Sequence, residues 1–479
     1  MTMRTRYLAA AVTLLFTLPD AARAQAFGIN EIGTCAASRG FAVTGSPCQD
    51  ASSVFWNPGM LPSRSGWHLL GGAAIIQIDG SFTQDTTFRE WEGDVPTAFV
   101  PHLFLQYRGE NSNLAYGIGV YAPYGLTSQW TDSFPGRFQA LKAALATIYV
   151  QPNIAWQVNE KWSVGAGPIF GHSNVELIQA LDLSEQIASP GPPVVRFNQF
   201  GIPARTEFGR AKLEGSANAF GGHVGVFGRP NERWTVGIRF LSPLEFEYDD
   251  ADASFTQTTT GIVLPPGNPI CFGTGGAHPI CGGDPNATVD IDALVGTQFL
   301  TGGALVDQEV RTEITHPAQI QAGFGYSGFA GWLLSADYAW TGWRRFDELP
   351  VEFQGPASSS NRILIEDYNN TSAIRLGAER AFMNGAQLRL GFSGVASAAP
   401  DETVTPLLPE QDRAYGSIGA AYPLTSRITI EGAYLRVFAG GKRGRIVERQ
   451  NRDQTAEDLN SGVYDLTANV FSFSLKATF

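Results

Sequence analysis

Four cysteines stand in two close pairs, Cys35 with Cys48 and Cys271 with Cys281. In an oxidising compartment such pairs form local disulfides, each stapling one irregular segment. A four-cysteine metal site is the alternative, although neither pair has the C-x2-4-C spacing that such sites use. The six histidines, His68, His102, His172, His223, His278 and His316, are scattered, and no H-E-x-x-H gathers two of them on a helix. Gly323-Phe324-Gly325-Tyr326-Ser327-Gly328 spells G-x-G-x-x-G, but it ends a predicted strand and leads into a short turn instead of a helix, so it reads as a chance match to a nucleotide loop. There is no G-x-S-x-G elbow. A nucleophile and base that meet only in space stay possible. No cofactor is implied.

The two ends say where the chain goes. Arg4 and Arg6 precede an apolar run from Tyr7 to Leu18, too short for a spanning helix. Ala22-Arg23-Ala24 and Ala24-Gln25-Ala26 then offer small residues for cleavage after Ala24 or after Ala26. This is the pattern of a secretory signal peptide, residues 1–24. At the other end, Phe471, Phe473, Leu475, Ala477 and Phe479 alternate with Ser472, Ser474, Lys476 and Thr478. These nine, with Val470 before them, make about the ten residues that one tilted strand of a membrane barrel needs, and a terminal Phe is the kind of end that barrel assembly machinery reads.

Composition agrees. Of 479 residues, 54 are Gly, 11% are aromatic and 16% are charged, against about a quarter charged in soluble domains. Mean hydropathy is close to neutral, at −0.07, as it is where only every second wall residue meets lipid. The net charge of −12 argues against a nucleic-acid partner.

Period-two alternation predicts fourteen strands, near 66–82, 97–108, 113–127, 144–158, 161–178, 218–229, 232–254, 315–327, 331–345, 371–383, 385–393, 412–422, 428–440 and 467–479. The connections alternate short with long, the long ones including 179–217, 255–314 and 441–466. Short periplasmic turns and long external loops are the habit of outer-membrane barrels. The fold class expected is therefore all-β: a 14-stranded antiparallel transmembrane β-barrel over 66–479, with both termini in the periplasm. Residues 25–65 do not follow the strand pattern. Short helical or irregular pieces, 36–43 and 50–56, suit a plug inside a lumen that would otherwise leak.

These residues resemble the FadL-type outer-membrane transporters of long-chain fatty acids and aromatic hydrocarbons. The resemblance runs through Phe27-Gly28-Ile29-Asn30-Glu31, Asp50-Ala51-Ser52-Ser53-Val54-Phe55-Trp56-Asn57-Pro58, Tyr116-Gly117-Ile118-Gly119 with Tyr124-Gly125-Leu126, Trp162-Ser163-Val164-Gly165-Ala166-Gly167, Trp340-Thr341-Gly342-Trp343-Arg344-Arg345-Phe346 and Pro409-Glu410-Gln411-Asp412-Arg413. It implies an N-terminal hatch with its motif at Asn57, Pro58 and Gly59, the last replacing the family's Ala. It implies capture of a hydrophobic ligand between loops 179–217 and 255–314, an internal site, and a lateral exit at a kink in strand three. Gly119 and Pro123 are placed at that kink, since one lacks a side chain and the other an N–H.

Leu177, Leu181, Ile262, Leu264, Ile270 and Phe272 are the apolar loop residues expected to meet the ligand, with mutual packing of the loops as the other reading. Residues 177–183 could form a short amphipathic helix. No Arg or Lys follows Trp162 as far as Ile178, so a neutral hydrocarbon is as plausible as a fatty acid, and His172 is expected to be a hydrogen-bonded lumen residue.

The function expected is passive uptake of hydrophobic compounds by a monomer in contact with outer-membrane lipid and lipopolysaccharide. The rivals are a general diffusion porin, an outer-membrane hydrolase (lipase or protease), and an adhesin-like structural barrel.

Overall fold

In the computed structural model the residues described are 26–189, 195–395, 397–444 and 461–479. The expected signal peptide lies outside them, as does most of the 441–466 connection.

Fourteen strands pair antiparallel into one closed wall. They are β1 (Gly66–Gln84), β2 (Ala98–Arg108), β3 (Leu114–Tyr121, resuming as Gly125–Gln129), β4 (Lys142–Gln157), β5 (Trp162–Asp182), β6 (Glu207–Asn231) and β7 (Trp234–Leu241, resuming as Leu244–Gln257). They continue with β8 (Gln308–His316, resuming as Gln319–Tyr326), β9 (Trp332–Thr341), β10 (Thr371–Ala381), β11 (Gln387–Val395), β12 (Arg413–Pro423), β13 (Ile428–Ala439) and β14 (Gly462–Thr478). Closure is made at β1, where Leu70 faces Phe104 of β2 on one side and Lys476 of β14 on the other. No strand edge is left open over the membrane, which is the condition for a sheet to stand in lipid.

The period of two explains each strand. On β5, Ser163, Gly165, Ile169 and Ser173 turn inward and are buried, while Trp162 and Phe170 face out. Phe220 on β6 and Trp234, Ile238 and Phe240 on β7 also face out. From Trp162 to Phe170 the outward series is apolar; it then turns polar through His172, Asn174 and Glu176. About nine residues of apolar face match the span a tilted strand needs to cross the hydrocarbon. His172 thus lies on the outer face, its Nδ1 2.9 Å from Asn218 Oδ1 on the neighbouring strand, and is not a lumen residue.

All fourteen expected strands are present, but the long-loop ends differ. β5 runs on to Asp182, so residues 177–182 are strand and not helix. Pairing takes up backbone groups that a helix would have bonded internally: Leu177 faces Ala143 of β4 on one side and Leu213 of β6 on the other, and the pairing with β6 continues to Asp182. β6 starts at Glu207, β7 ends at Gln257 and β8 starts at Gln308, so the two large loops shrink to 183–206 and 258–307. β9 stops at Thr341, and Trp343–Arg345 form a single 3-10 turn.

Inside the wall sits the hatch. It carries α1 (Thr34–Ser38), α2 (Ser53–Trp56) and a 3-10 turn at Pro58–Ser63. Its apolar side chains, Ile32, Ala36, Phe41, Val54, Phe55, Trp56 and Leu61, are all at most 2% exposed. A separate apolar core joins the two large loops: Leu183, Phe197, Ile202 and Phe208 from one side, Leu264, Ile270, Val289, Ile291 and Val295 from the other.

Candidate functional site

Three layers follow one another down the lumen from the long-loop end. The first is an apolar cavity of about 100 Å³ lined by Leu126, Leu145, Leu177, Ile314, Leu349 and Leu407, with Phe27 at its foot. No Lys, Arg or His is among its lining residues. Its two acidic neighbours, Glu176 and Glu214, are paired with Lys142 at 2.5 Å and Lys212 at 2.6 Å. Such a space favours an uncharged guest, because a charge moved there from water would find no partner. Its size is of the order of the ~150 Å³ apolar cavity that takes up benzene in an engineered protein.

The second layer is an aromatic floor centred on Phe27. Its ring lies 4.7 Å from Trp343, 5.3 Å from Phe346, 5.8 Å from His316 and 6.0 Å from Tyr124, mostly edge to face, the arrangement that ring quadrupoles prefer. Phe27 is held there by its backbone. The Gly125 N–H donates to the Phe27 carbonyl at 2.9 Å and the Ile29 N–H donates to the Pro123 carbonyl at 2.8 Å. The hatch thus adds a short stretch of strand exactly where β3 is interrupted, at 122–124. Pro123 lies in this break. Gly119 does not: it sits within the regular part of β3, where a Cβ would come within 2.6 Å of the Phe104 ring and 3.1 Å of Val54. Its bareness serves packing, and the kink expected at Gly119–Pro123 is moved to the proline end.

The third layer is the hatch seat. Asn57 makes three bonds: Oδ1 accepts from the Gly59 N–H at 3.0 Å, and Nδ2 donates to the carbonyls of Thr44 at 3.1 Å and of Val226 on β6 at 3.0 Å. Asn is suited to this because one planar amide carries acceptor and donors together. The close approach needs bare backbone on the wall. A Cβ at Gly225 would lie 2.1 Å from Asn57 Oδ1, and one at Gly165 would lie 2.4 Å from the Pro58 carbonyl oxygen. Around the motif, wall side chains reach for hatch carbonyls: Gln106 for Leu61 at 2.6 Å, Ser163 for Gly59 at 2.5 Å, and both Gln151 and Asn153 for Val54, at 2.9 and 2.8 Å.

Buried cations complete the seat, and sequence reasoning missed them. Arg239 donates to the Phe55 carbonyl at 3.0 Å and to Gln319 Oε1 at 2.9 Å, with its guanidinium 4.5 Å from the Phe55 ring centroid. Arg375 donates to Asn30 Oδ1 at 3.1 Å, and Arg389 lies between Glu379 at 2.8 Å and Glu431 at 3.2 Å. Each sits at an inward position of an alternating strand, which was a usable signal. An inward Arg in a plugged barrel needs a partner.

The loop residues fall into three places. Leu177 lines the cavity. Leu264 and Ile270 are buried in the core between the loops, with Leu181 and Ile262 packed against it. Phe272 stands out at 67% exposure. Cys35 is bonded to Cys48 in the hatch and Cys271 to Cys281 in the larger loop.

Known proteins share this architecture. A structure of a Pseudomonas aeruginosa FadL homologue superposes with a TM-score of 0.74 at 19% identity, covering 95% of this chain and 100% of that one. The Pseudomonas putida toluene transporter TodX gives 0.64 at 15%, covering 95% and 99%. By sequence, the chain is 24% identical over 437 residues to the long-chain fatty acid transport protein of Escherichia coli O6:H1, covering 88% of each. It is 23% identical over 489 residues to outer membrane protein P1 of Haemophilus influenzae, covering 96% of this chain and 95% of that protein. Residues 16–479 match the family described as outer membrane protein transport protein (OMPP1/FadL/TodX), and the chain belongs to that family of outer-membrane β-barrel proteins.

Proposed function

We propose that this protein carries uncharged hydrophobic compounds passively across the outer membrane. A ligand is caught at the long-loop end, rests in the apolar cavity and leaves sideways through the wall once the hatch has moved. The observation that carries this reading is the cavity itself, apolar and without a cation, lying directly on a floor whose central ring belongs to the hatch. Ligand and hatch therefore touch the same residue, Phe27. In this orientation the long loops face outward, both termini are periplasmic and the apolar band contacts lipid and lipopolysaccharide. The closing strand ending at Phe479 is what the assembly machinery would engage, and a single chain makes the whole barrel. The filled lumen speaks against a general diffusion porin. A hydrolase would turn over ester or peptide substrates in detergent; we expect none.

Arg239 favours a second reading, in which a fatty acid's carboxylate reaches it after the floor opens. It lies one residue behind the floor, since Gln319 joins its guanidinium to the Tyr124 hydroxyl at 3.0 Å. Equilibrium binding of radiolabelled naphthalene and oleate to the purified protein in detergent separates the two. Tighter naphthalene binding that is unaffected by Arg239→Gln supports the neutral cargo. Tighter oleate binding that Arg239→Gln weakens about tenfold supports the acid. Binding of neither overturns the transport reading.

A further inference from the structure

Beside the cavity, the segment 343–368 buries three polar side chains, each with an atom left bare. Trp343, Glu366 and Tyr368 are 0%, 2% and 1% exposed. The Trp343 Nε1–H, the Glu366 Oε2 atom and the Tyr368 hydroxyl have no hydrogen-bond partner among the described residues. Buried polar groups nearby are not left so. The Tyr124 hydroxyl donates to the Pro317 carbonyl at 3.1 Å, and the Tyr149 hydroxyl lies 2.9 Å from His316 Nδ1. Glu410, another buried acid, accepts from the N–H groups of Ala26 at 2.9 Å and Ala398 at 3.0 Å and from the Ser397 hydroxyl. A bare buried donor or acceptor costs stability, and native folds keep few of them. Three on one short segment call for a guest that uses them.

The wall of the cavity places all three. Glu348–Phe353 pairs with Arg362–Ile365 as a hairpin, in which Leu349 faces Leu364. Leu349 and Val351 line the cavity, as does Phe346 just before the hairpin. The returning strand leads into Glu366, whose N–H donates to the Asp347 carbonyl at 2.8 Å, and Tyr368, whose N–H donates to the Phe346 carbonyl at 3.3 Å. The Tyr368 ring lies 5.0 Å from that of Phe346 and 6.3 Å from that of Trp343, and Trp343 lies 4.7 Å from Phe27. Tyr368 and Trp343 thus each pack on a ring that borders the cavity. Burial alone acts on the Glu366 carboxyl and pushes it up to about 8, so it stands uncharged at neutral pH.

The set has a definite chemistry. Trp343 can only donate, Tyr368 can donate and Glu366 Oε2 can accept. A hydrocarbon offers them nothing. A carboxylate has no hydrogen to give Glu366 and brings a charge to a cavity whose lining holds no cation. A hydroxyl gives one hydrogen and accepts two. We infer that the cavity selects phenols, the ring lying against Phe27 and Phe346 and the hydroxyl held by Trp343, Glu366 and Tyr368. The inference rests on the transport reading above and narrows its cargo.

Two probes of one shape test it: 2-naphthol, and 2-methylnaphthalene with a methyl in place of the hydroxyl. Apolar burial alone ranks the methyl compound first, so a preference for the naphthol reverses the default order. Equilibrium binding of each radiolabelled probe would be measured on the purified protein in detergent at neutral pH, with folding checked by heat-dependent gel mobility. The variants are Tyr368→Phe, which removes a donor that the fold does not use, and Glu366→Leu, which removes the acceptor. Tyr368→Phe stays informative should Glu366→Leu fail to fold. The expected result is 2-naphthol bound about tenfold tighter by the parent, and weakened about fivefold by each variant with 2-methylnaphthalene unchanged. A parent that binds 2-methylnaphthalene as tightly as 2-naphthol, or tighter, overturns the phenol site and leaves the transport reading standing. So does a preference for 2-naphthol that folded Tyr368→Phe keeps in full. A parent that binds neither probe overturns the transport reading, and the phenol site with it.

Discussion

The hatch seat and the external loop core are both small, both stapled by one local disulfide, and held in opposite ways. Cys35–Cys48 spans 13 residues in the hatch and Cys271–Cys281 spans 10 in the loop. Beyond the staple, the seat is fixed by side-chain amides and a guanidinium group that donate to backbone carbonyls across the boundary between hatch and wall. The loop core is fixed by Leu, Ile, Val and Phe pressed together. Directional bonds define one register and are lost together when the geometry slips. Apolar contacts tolerate sliding. A part that must move as a unit and return to one position suits the first arrangement; a mouth that must accept guests of several shapes suits the second.

That contrast can be broken from the seat first. Asn57→Ala removes one hydrogen bond between hatch and wall, to the Val226 carbonyl, at about 1 kcal/mol, together with two inside the hatch, so the unseated hatch should become roughly five- to tenfold more populated. Ion conductance in planar bilayers should rise accordingly; an unchanged conductance would show that the seat does not depend on this residue. In the loop core, Ile270→Asp places a charge among apolar side chains at a cost of several kcal/mol. Naphthalene binding should weaken about tenfold while the barrel melts as before. A conductance change instead would mean that the two regions are coupled.

The floor between them has its own titration. Burial pushes the Glu366 carboxyl up to about 8, two residues before Tyr368, whose ring lies 5.0 Å from that of the floor residue Phe346. The folded-state value is above the ordinary one, so the fold stabilises the neutral form. That contribution is whole below the ordinary carboxylate range and is lost as pH rises through about 8. Melting temperature should fall over that range, and Glu366→Gln should flatten the fall. The smallest effect is expected from Phe272→Ser at the exposed loop tip: a stability change within about 0.5 kcal/mol and only a two- to threefold loss of capture.

Much of this was legible in the sequence, and the exceptions have physical causes. Alternation at Trp162–Phe170 or Phe471–Phe479 announces a strand because one side of every residue meets lipid. Past the membrane that contrast fades. Leu177, Leu181 and Leu183 fit a helical spacing as well as a strand, and only the partners on β4 and β6 decide. Asn57 stood out by its motif, but the bare wall it needs, at Gly165 and Gly225, comes from strands more than a hundred residues away. Pro152 of β4 and Pro168 of β5 were each visible, and they stand opposite one another where the ladder between those strands is interrupted. Their opposition depends on register, which no single strand encodes.

The overhang of the longest strands carries one more consequence. β6 has 25 residues, or about 80 Å at ~3.3 Å per residue, whereas the apolar girdle of such barrels is only ~25 Å tall. Even at a tilt of about 40° the wall stands some tens of ångströms clear of the hydrocarbon. In the orientation proposed above such a wall would work as a snorkel: its mouth would open beyond the inner part of the carbohydrate coat, so that a hydrophobe need not dissolve among sugars to reach the membrane. Coats shorter than the rim should leave its traffic unaffected, and only chains that outgrow the rim should throttle it.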